Sequence, residues 1–307
     1  MTESKANLIK TLCAICDTDR FDKVVYPANF DYASLSSDLF SARRLPDRCH
    51  YRIVRCRNCG LVRSNPIVEE KALEALYQDS HFHYEREAAF AAESYLRYLK
   101  RVLKHFHGKI KLLEVGCGNG FFLKKANALG LEAYGIEPSH EAVEKAGELR
   151  ANIHTGMFRG GIYPNHSFDI ICAFQVFDHI SRPNEFLCQC QAYLKRGGLT
   201  LFINHNIGFW LAKWLGENCP MIDVAHTYLY DTSTLKKIFQ KNGFEVLEIF
   251  GVTNNYPLSY WLKLMPLRKK AKDILLSYVQ NSKLGRLPLK MRLGNMGIIA
   301  RSHHAPS

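Results

Sequence analysis

From Lys109 onward, short apolar runs alternate with segments whose apolar residues recur every three or four positions. "IKLLEVG" (110–116) predicts a strand, "GFFLKKANALG" (120–130) a helix, "LEAYGIEP" (131–138) a strand and "SHEAVEKAGELR" (139–150) a helix. "SFDIICAFQV" (167–176) and "LTLFINH" (199–205) predict strands flanking a helix in "RPNEFLCQCQAYLKRGG" (182–198). A helix over "TSTLKKIFQKNGF", a strand over "FEVLEIFGV" and a last strand at "MGIIARS" follow. Ser139 is the expected N-cap of its helix and Gly130 the C-cap of the preceding one. Strict alternation of this kind predicts a parallel sheet with helices on both faces, an α/β fold. Ahead of it, "KALEALYQ" and "AAFAAESYLRYLKRVLKHF" have helical spacing, whereas the first 70 residues have little periodicity. The expected organisation is therefore an N-terminal module over residues 1–70, a helical connector over 71–107 and an α/β domain over 108–307.

The stretch "LLEVGCGNGFFL" (112–123) places a glycine turn between strand and helix. Such a turn lets backbone N–H groups approach a ligand closely. A dinucleotide fingerprint needs a third glycine where Phe121 stands, and here that glycine arrives one residue early, at Gly120. No Lys-Ser/Thr pair follows, which excludes a P-loop. Glu137, after the second strand, suits the hydroxyls of any ribose. Glu114 can fix the glycine loop or bind an ammonium group, and sits badly beside a pyrophosphate.

The chain has 307 residues, 47% of them hydrophobic, enough for a sizeable core. No apolar run of about 18 residues is present, so no spanning helix is expected. "MTESKANLIK" lacks the apolar core of a signal peptide, and a cytoplasmic location is expected. The net charge is +12, and most of the excess lies in the last sixth of the chain. From Tyr256 to Ser307 ten basic residues face one acid, Asp273. This basic segment, with a helical insertion at about 256–293, reads as a solvated face or as an attractor of an anionic acceptor, a membrane surface or nucleic acid. "GFWLAKWLG" sets Trp210 and Trp214 four apart, and "LKLMPLRKKAKDILLSYV" aligns Leu264, Leu267, Ala271, Ile274 and Tyr278 on one helical face. Such helices form lids or dimer contacts, or allow peripheral membrane contact.

Ten cysteines include Cys13-x-x-Cys16 and Cys56-x-x-Cys59, separated by 39 residues. Two such pairs supply the four thiolates of a tetrahedral Zn²⁺ site with no open position, hence a structural one. Cys49 and His50 are alternative ligands.

Four motifs in register, "LLEVGCGNG", "AYGIEPS", "FDIICAFQVFDHI" and "AYLKRGGLTLFIN", resemble those of class I S-adenosylmethionine (SAM)-dependent methyltransferases over residues 108–250, with "MGIIARS" similar to their last strand. The resemblance implies a Rossmann-like, seven-stranded sheet and SAM as cofactor. It implies that Gly116, Cys117, Gly118 and Gly120 line the methionine part, with Glu114 beside them, and that Glu137 binds the ribose. It further implies that Met157 and Phe158 flank the adenine and that Phe174 and Gln175 close the pocket. "YRIVRCRNCGLVRSNP" after an early Cys-x-x-Cys resembles the zinc-binding region of sugar C-methyltransferase-like proteins. That resemblance implies a small-molecule acceptor, sugar-like or nucleotide-linked.

Methyl transfer from a sulfonium needs an aligned nucleophile and often a proton acceptor. His179 and His226 are the candidate bases, kept neutral by a nearby sulfonium. His205 is less well placed by sequence, Tyr228 lies near His226, and Tyr84 is a candidate cover for the methionine end. RNA modification ranks below small-molecule methylation, because the fourth strand ends in "FQVFDH" and lacks the Asn-Pro-Pro-Tyr type motif of base amino methylation.

Overall fold

The computed structural model describes residues 7–31, 49–78, 85–264, 269–279 and 282–303. Seven strands form the main sheet, in the order β12-β13-β10-β9-β6-β7-β8. They are β6 (Lys111–Val115), β7 (Glu132–Glu137), β8 (Ile153–Thr155), β9 (Phe168–Phe174), β10 (Leu194–His205), β12 (Phe244–Pro257) and β13 (Pro288–Ser302). The strands from β8 to β10 pair in parallel. The sheet is nevertheless mixed, because β13 enters between β10 and β12 and runs antiparallel to both. Both β12 and β13 outrun their apolar stretches, and their far ends pair from Asn254 with Met291 to Pro257 with Pro288. That ribbon carries α8 (Leu258–Leu264) and α9 (Lys269–Val279), with Trp261 Nε1 donating to the Leu289 carbonyl at 3.0 Å.

Both sheet faces are covered, as the apolar runs require. Successive residues of β6 point to opposite faces: Leu113 joins the core around Phe177, Phe186, Phe202 and Phe239, while Leu112 joins the one around Tyr95, Leu99 and Phe122. Helices α5 (Pro183–Tyr193) and α7 (Thr232–Lys241) lie on the first side. Helices α2 (Glu85–Leu103) and α3 (Phe121–Ala128) lie on the second.

Local chemistry explains several boundaries. The Ser139 side chain accepts from Ala142 N–H and starts α4 (His140–Glu144), as expected of an N-cap. The helix expected to run to Arg150 instead stops and continues as a 3-10 turn from Gly147, whose φ of 61° breaks the α geometry. Of the long amphipathic helix expected over 262–279, the described residues belong to the end of α8 and to α9. On α9, Ile274 and Tyr278 are 62% and 79% exposed, so they do not form a buried face there. Leu267 lies outside the described residues, as does Tyr84.

The N-terminal segment supplies β1 (Leu8–Ile9), β2 (Asp22–Tyr26), β3 (Ile53–Cys56), β4 (Val62–Ser64) and β5 (Ile67–Val68), followed by α1 (Glu70–Gln78). A four-stranded sheet of order β11-β4-β3-β2 is completed by β11 (Tyr228–Leu229), from beyond α6 (Trp210–Leu215). Arg63 is fully buried in that sheet, where its Nη2 donates to Asp22 at 2.6 Å and to the Thr11 carbonyl. The N-terminal strands are thus tied directly to the loop that follows β10.

Candidate functional site

A cavity of about 1390 Å³ opens at the carboxyl ends of β6, β7, β9 and β10, where ligands of such sheets bind. It runs from the glycine loop to a cluster of three imidazoles, and its far wall includes Tyr256, Trp261, Leu289 and Met291 from the β12–β13 extension.

At the first end, Gly116 takes φ 73° and has no room for a side chain: a Cβ there would meet Val176 Cγ2 at 2.5 Å. Glu137 ties the loop down. One carboxylate oxygen accepts from Gly118 N–H at 2.8 Å and the other from Ser139 N–H at 3.0 Å. Burial raises its pKa above the usual carboxylate range, opposed by these two hydrogen bonds. Glu114 is buried in the cavity wall with Oε2 lacking a hydrogen-bond partner among the described residues. Burial, and then the Glu137 charge, push its pKa well up. Gln175 adopts φ 59°, and both polar atoms of its side-chain amide are likewise buried without partners. Such orphaned atoms in a cavity wall suit a polar ligand; the Glu114 oxygen fits an ammonium group, as the SAM methionine end carries. Cys117 is buried beside Gly135, and burial drives its thiol well above the ordinary pKa, so it lines the wall as a neutral group.

Met157 and Phe158 both line the cavity, and Phe158 packs on Phe186 at 4.9 Å. The Phe174 ring stacks on Tyr95 at 4.3 Å. The structure thus brings Glu114, Gly116, Cys117, Gly118, Glu137, Met157, Phe158, Phe174 and Gln175 around one cavity. Gly120 forms the start of α3 and does not line it. Tyr95 was invisible in the sequence, since aromatic residues at helical spacing read only as core.

At the other end, Asp178 is fully buried in a 3-10 turn, Phe177–His179. His205 Nδ1 lies 2.6 Å from Asp178 Oδ2. His179 Nε2 is 3.8 Å from Oδ1, and His226 Nε2 is 4.0 Å from Oδ2. His226 Nδ1 lies 3.0 Å from the Met221 carbonyl, and His179 Nδ1 lies 3.1 Å from the Tyr77 hydroxyl. Burial alone would push the Asp178 pKa up, but the imidazoles, His205 foremost, hold it below the usual range. Burial, then His226, lowers that of His179 to about 4, which keeps this ring neutral. The two histidines singled out from sequence do meet here, but around an aspartate that was missed, and His205 stands closer to it than either. Two signals were present: Asp178 directly precedes His179 in "FDHI", and His205 ends a strand at the edge where ligands bind. Tyr228 is elsewhere; its hydroxyl donates to the Leu12 carbonyl.

The four cysteines converge at the tip of the β3–β4 hairpin. Cys13 and Cys59 sulfurs are 3.3 Å apart, and those of Cys16 and Cys56 are 3.8 Å apart. Sulfurs held at about 2.3 Å from one zinc lie about 3.8 Å apart in a tetrahedron, so the set fits that ion. His50 is engaged by the Tyr51 carbonyl and Glu217 instead.

Residues 83–249 match the family described as "Methyltransferase domain". The chain belongs to that family, among the class I SAM-dependent methyltransferases. It is 26% identical over 184 residues to the human mitochondrial ubiquinone biosynthesis O-methyltransferase, covering 53% of this chain and 50% of that protein. Against ubiquinone biosynthesis O-methyltransferase of Nitrobacter winogradskyi the identity is 27% over 159 residues, covering 47% and 59%. The chain therefore spans about half the length of the curated relatives it matches. The Bacillus subtilis YcgJ structure shares the fold, with a TM-score of 0.50, 17% identity and coverage of 68% of this chain and 100% of that one.

Proposed function

We propose that this protein transfers the SAM methyl group to a hydroxyl of a small, largely apolar acceptor. The observation that carries the reading is the single cavity joining the Glu137-braced glycine loop to the Asp178–imidazole cluster. Bound SAM supplies an electrophilic methyl group whose C–S bonding pair leaves with sulfur. Glu137 holds the ribose, Glu114 faces the ammonium, and Met157, Phe158 and Phe174 surround the cofactor's flat and apolar parts. At the far end Asp178 fixes His205: a carboxylate only accepts, so Nδ1 carries the proton and Nε2 of the neutral ring is the proton acceptor for the acceptor hydroxyl. His179 and His226 flank that position and exclude water. Gly120 acts on the loop rather than on the ligand. The two Cys-x-x-Cys pairs hold one structural zinc.

The relatives named above are O-methyltransferases, which supports oxygen as the methylated atom. The cavity's aromatic and aliphatic far wall favours an apolar acceptor over a nucleotide-linked sugar. A second reading, in which the protein acts at a membrane surface, is favoured by Trp210 and Trp214, which are 65% and 75% exposed, Trp214 also lining the cavity. Among the described residues no helix is long and apolar enough to cross a membrane. Transfer of labelled methyl from SAM should be screened against phenols, other apolar alcohols and nucleotide sugars, with and without anionic liposomes. Labelled ether product from an apolar alcohol or phenol supports the reading; product only from nucleotide sugars contradicts it.

A further inference from the structure

We propose that Asp178, His179 and His226 form a second metal site, for a first-row divalent cation, at the acceptor end of the cavity and separate from the four cysteines. One ligand atom from each of the three lies within 4.8 Å of the others. The 3.8 Å and 4.0 Å separations between the two Nε2 atoms and the carboxylate are too long for hydrogen bonds. They are right for donors sharing one ion, since ligand atoms at about 2.0–2.2 Å from a metal lie about 3–4 Å apart.

The far sides of both rings are already held, as in metal-binding imidazoles generally. A carbonyl only accepts, so the 3.0 Å contact to Met221 puts the proton of neutral His226 on Nδ1 and turns the Nε2 lone pair toward Asp178. The Tyr77 hydroxyl fixes the His179 ring through Nδ1. Asp178 is fully buried, and its Oδ1 has no hydrogen-bond partner among the described residues. A buried carboxylate facing the His226 Nε2 lone pair leaves electron-rich atoms directed at one another, an arrangement a cation between them resolves.

His179 and His226 line the cavity with Asp178 buried behind them, so a cation held by these three ligands keeps coordination positions open on the cavity side, unlike the closed cysteine set. Two imidazoles and one carboxylate suit Zn²⁺, Fe²⁺ or Co²⁺ better than Mg²⁺ or Ca²⁺. The site's role, though not its existence, rests on the methyl-transfer reading: an acceptor hydroxyl on an open position is acidified and oriented toward the methyl group.

The test is a Co²⁺ titration of the full chain whose cysteine-site metal has been counted by elemental analysis, followed by calorimetry and visible absorption. The expected result is one further equivalent of Co²⁺, with ligand-field absorption but no added thiolate charge-transfer band. That equivalent should vanish in Asp178→Asn and in the His179→Gln/His226→Gln double variant, with circular dichroism, cysteine-site metal and SAM affinity within about twofold of the parent. Uptake that stops at the cysteine equivalent, or a second equivalent unaffected in both variants, overturns the inference. Parallel SAM binding keeps the two readings apart, because a chain that binds SAM yet takes no further Co²⁺ loses only the metal site.

Discussion

Asp178 and His205 are joined by a 2.6 Å contact between carboxylate and Nδ1, with the carboxylate wholly buried and the imidazole at the cavity wall. The pairing sets the tautomer of His205 and directs its basic nitrogen away from the aspartate. Asp178→Asn should lower single-turnover methyl transfer by about 10²–10⁴-fold, the range for losing an oriented proton acceptor, and His205→Ala should fall in the same range. SAM affinity should be unchanged in both, since neither residue touches the glycine loop. Near-parental rates in both variants would remove the pair from the chemistry.

Glu137 braces Gly118 and Ser139, and in the proposed function it also holds the ribose. Glu137→Ala should weaken SAM binding by about 2–3 kcal/mol, roughly 30- to 150-fold. Calorimetry showing unchanged affinity would dismiss the ribose assignment.

Gly116 stands where both conformation and space forbid a side chain. Gly116→Ala should cost about 1–2 kcal/mol from the left-handed backbone alone, in addition to displacing Val176. Thermal denaturation should show a drop of about 2–4 °C for each kcal/mol, accompanied by weaker SAM binding. A variant with parental Tm and SAM affinity would show that the loop is differently arranged.

The cysteine site reaches the Asp178–imidazole end of the cavity through one strand. Cys56 ends β3, and β4 ends at Ser64, whose hydroxyl donates to the His226 carbonyl at 2.8 Å and whose N–H donates to the Thr227 carbonyl at 2.9 Å. Cys56→Ser should lose one equivalent of zinc by elemental analysis and reduce turnover more than SAM affinity. Full zinc content, or equal losses in both parameters, would contradict this coupling.

The glycine turn, the strand–helix alternation and the Cys-x-x-Cys pairs were legible because each is a local pattern: period, turn chemistry or ligand spacing. What escaped was set by long-range pairing. The mixed character of the sheet depends on β13 entering between β10 and β12, which no local period encodes. Asp178 looks like any acid in a loop until β10 brings His205 beside it and the segment after α6 brings His226. Tyr95 becomes part of the pocket only through its stack on Phe174, some eighty positions later in the chain.

Calorimetric titration with SAM and, separately, with NAD⁺ tests the central claim most directly. Single-site SAM binding by the parent, weakened in Glu137→Ala and unchanged in Asp178→Asn, is the predicted result. Absence of SAM binding, or tighter binding of NAD⁺, would contradict it.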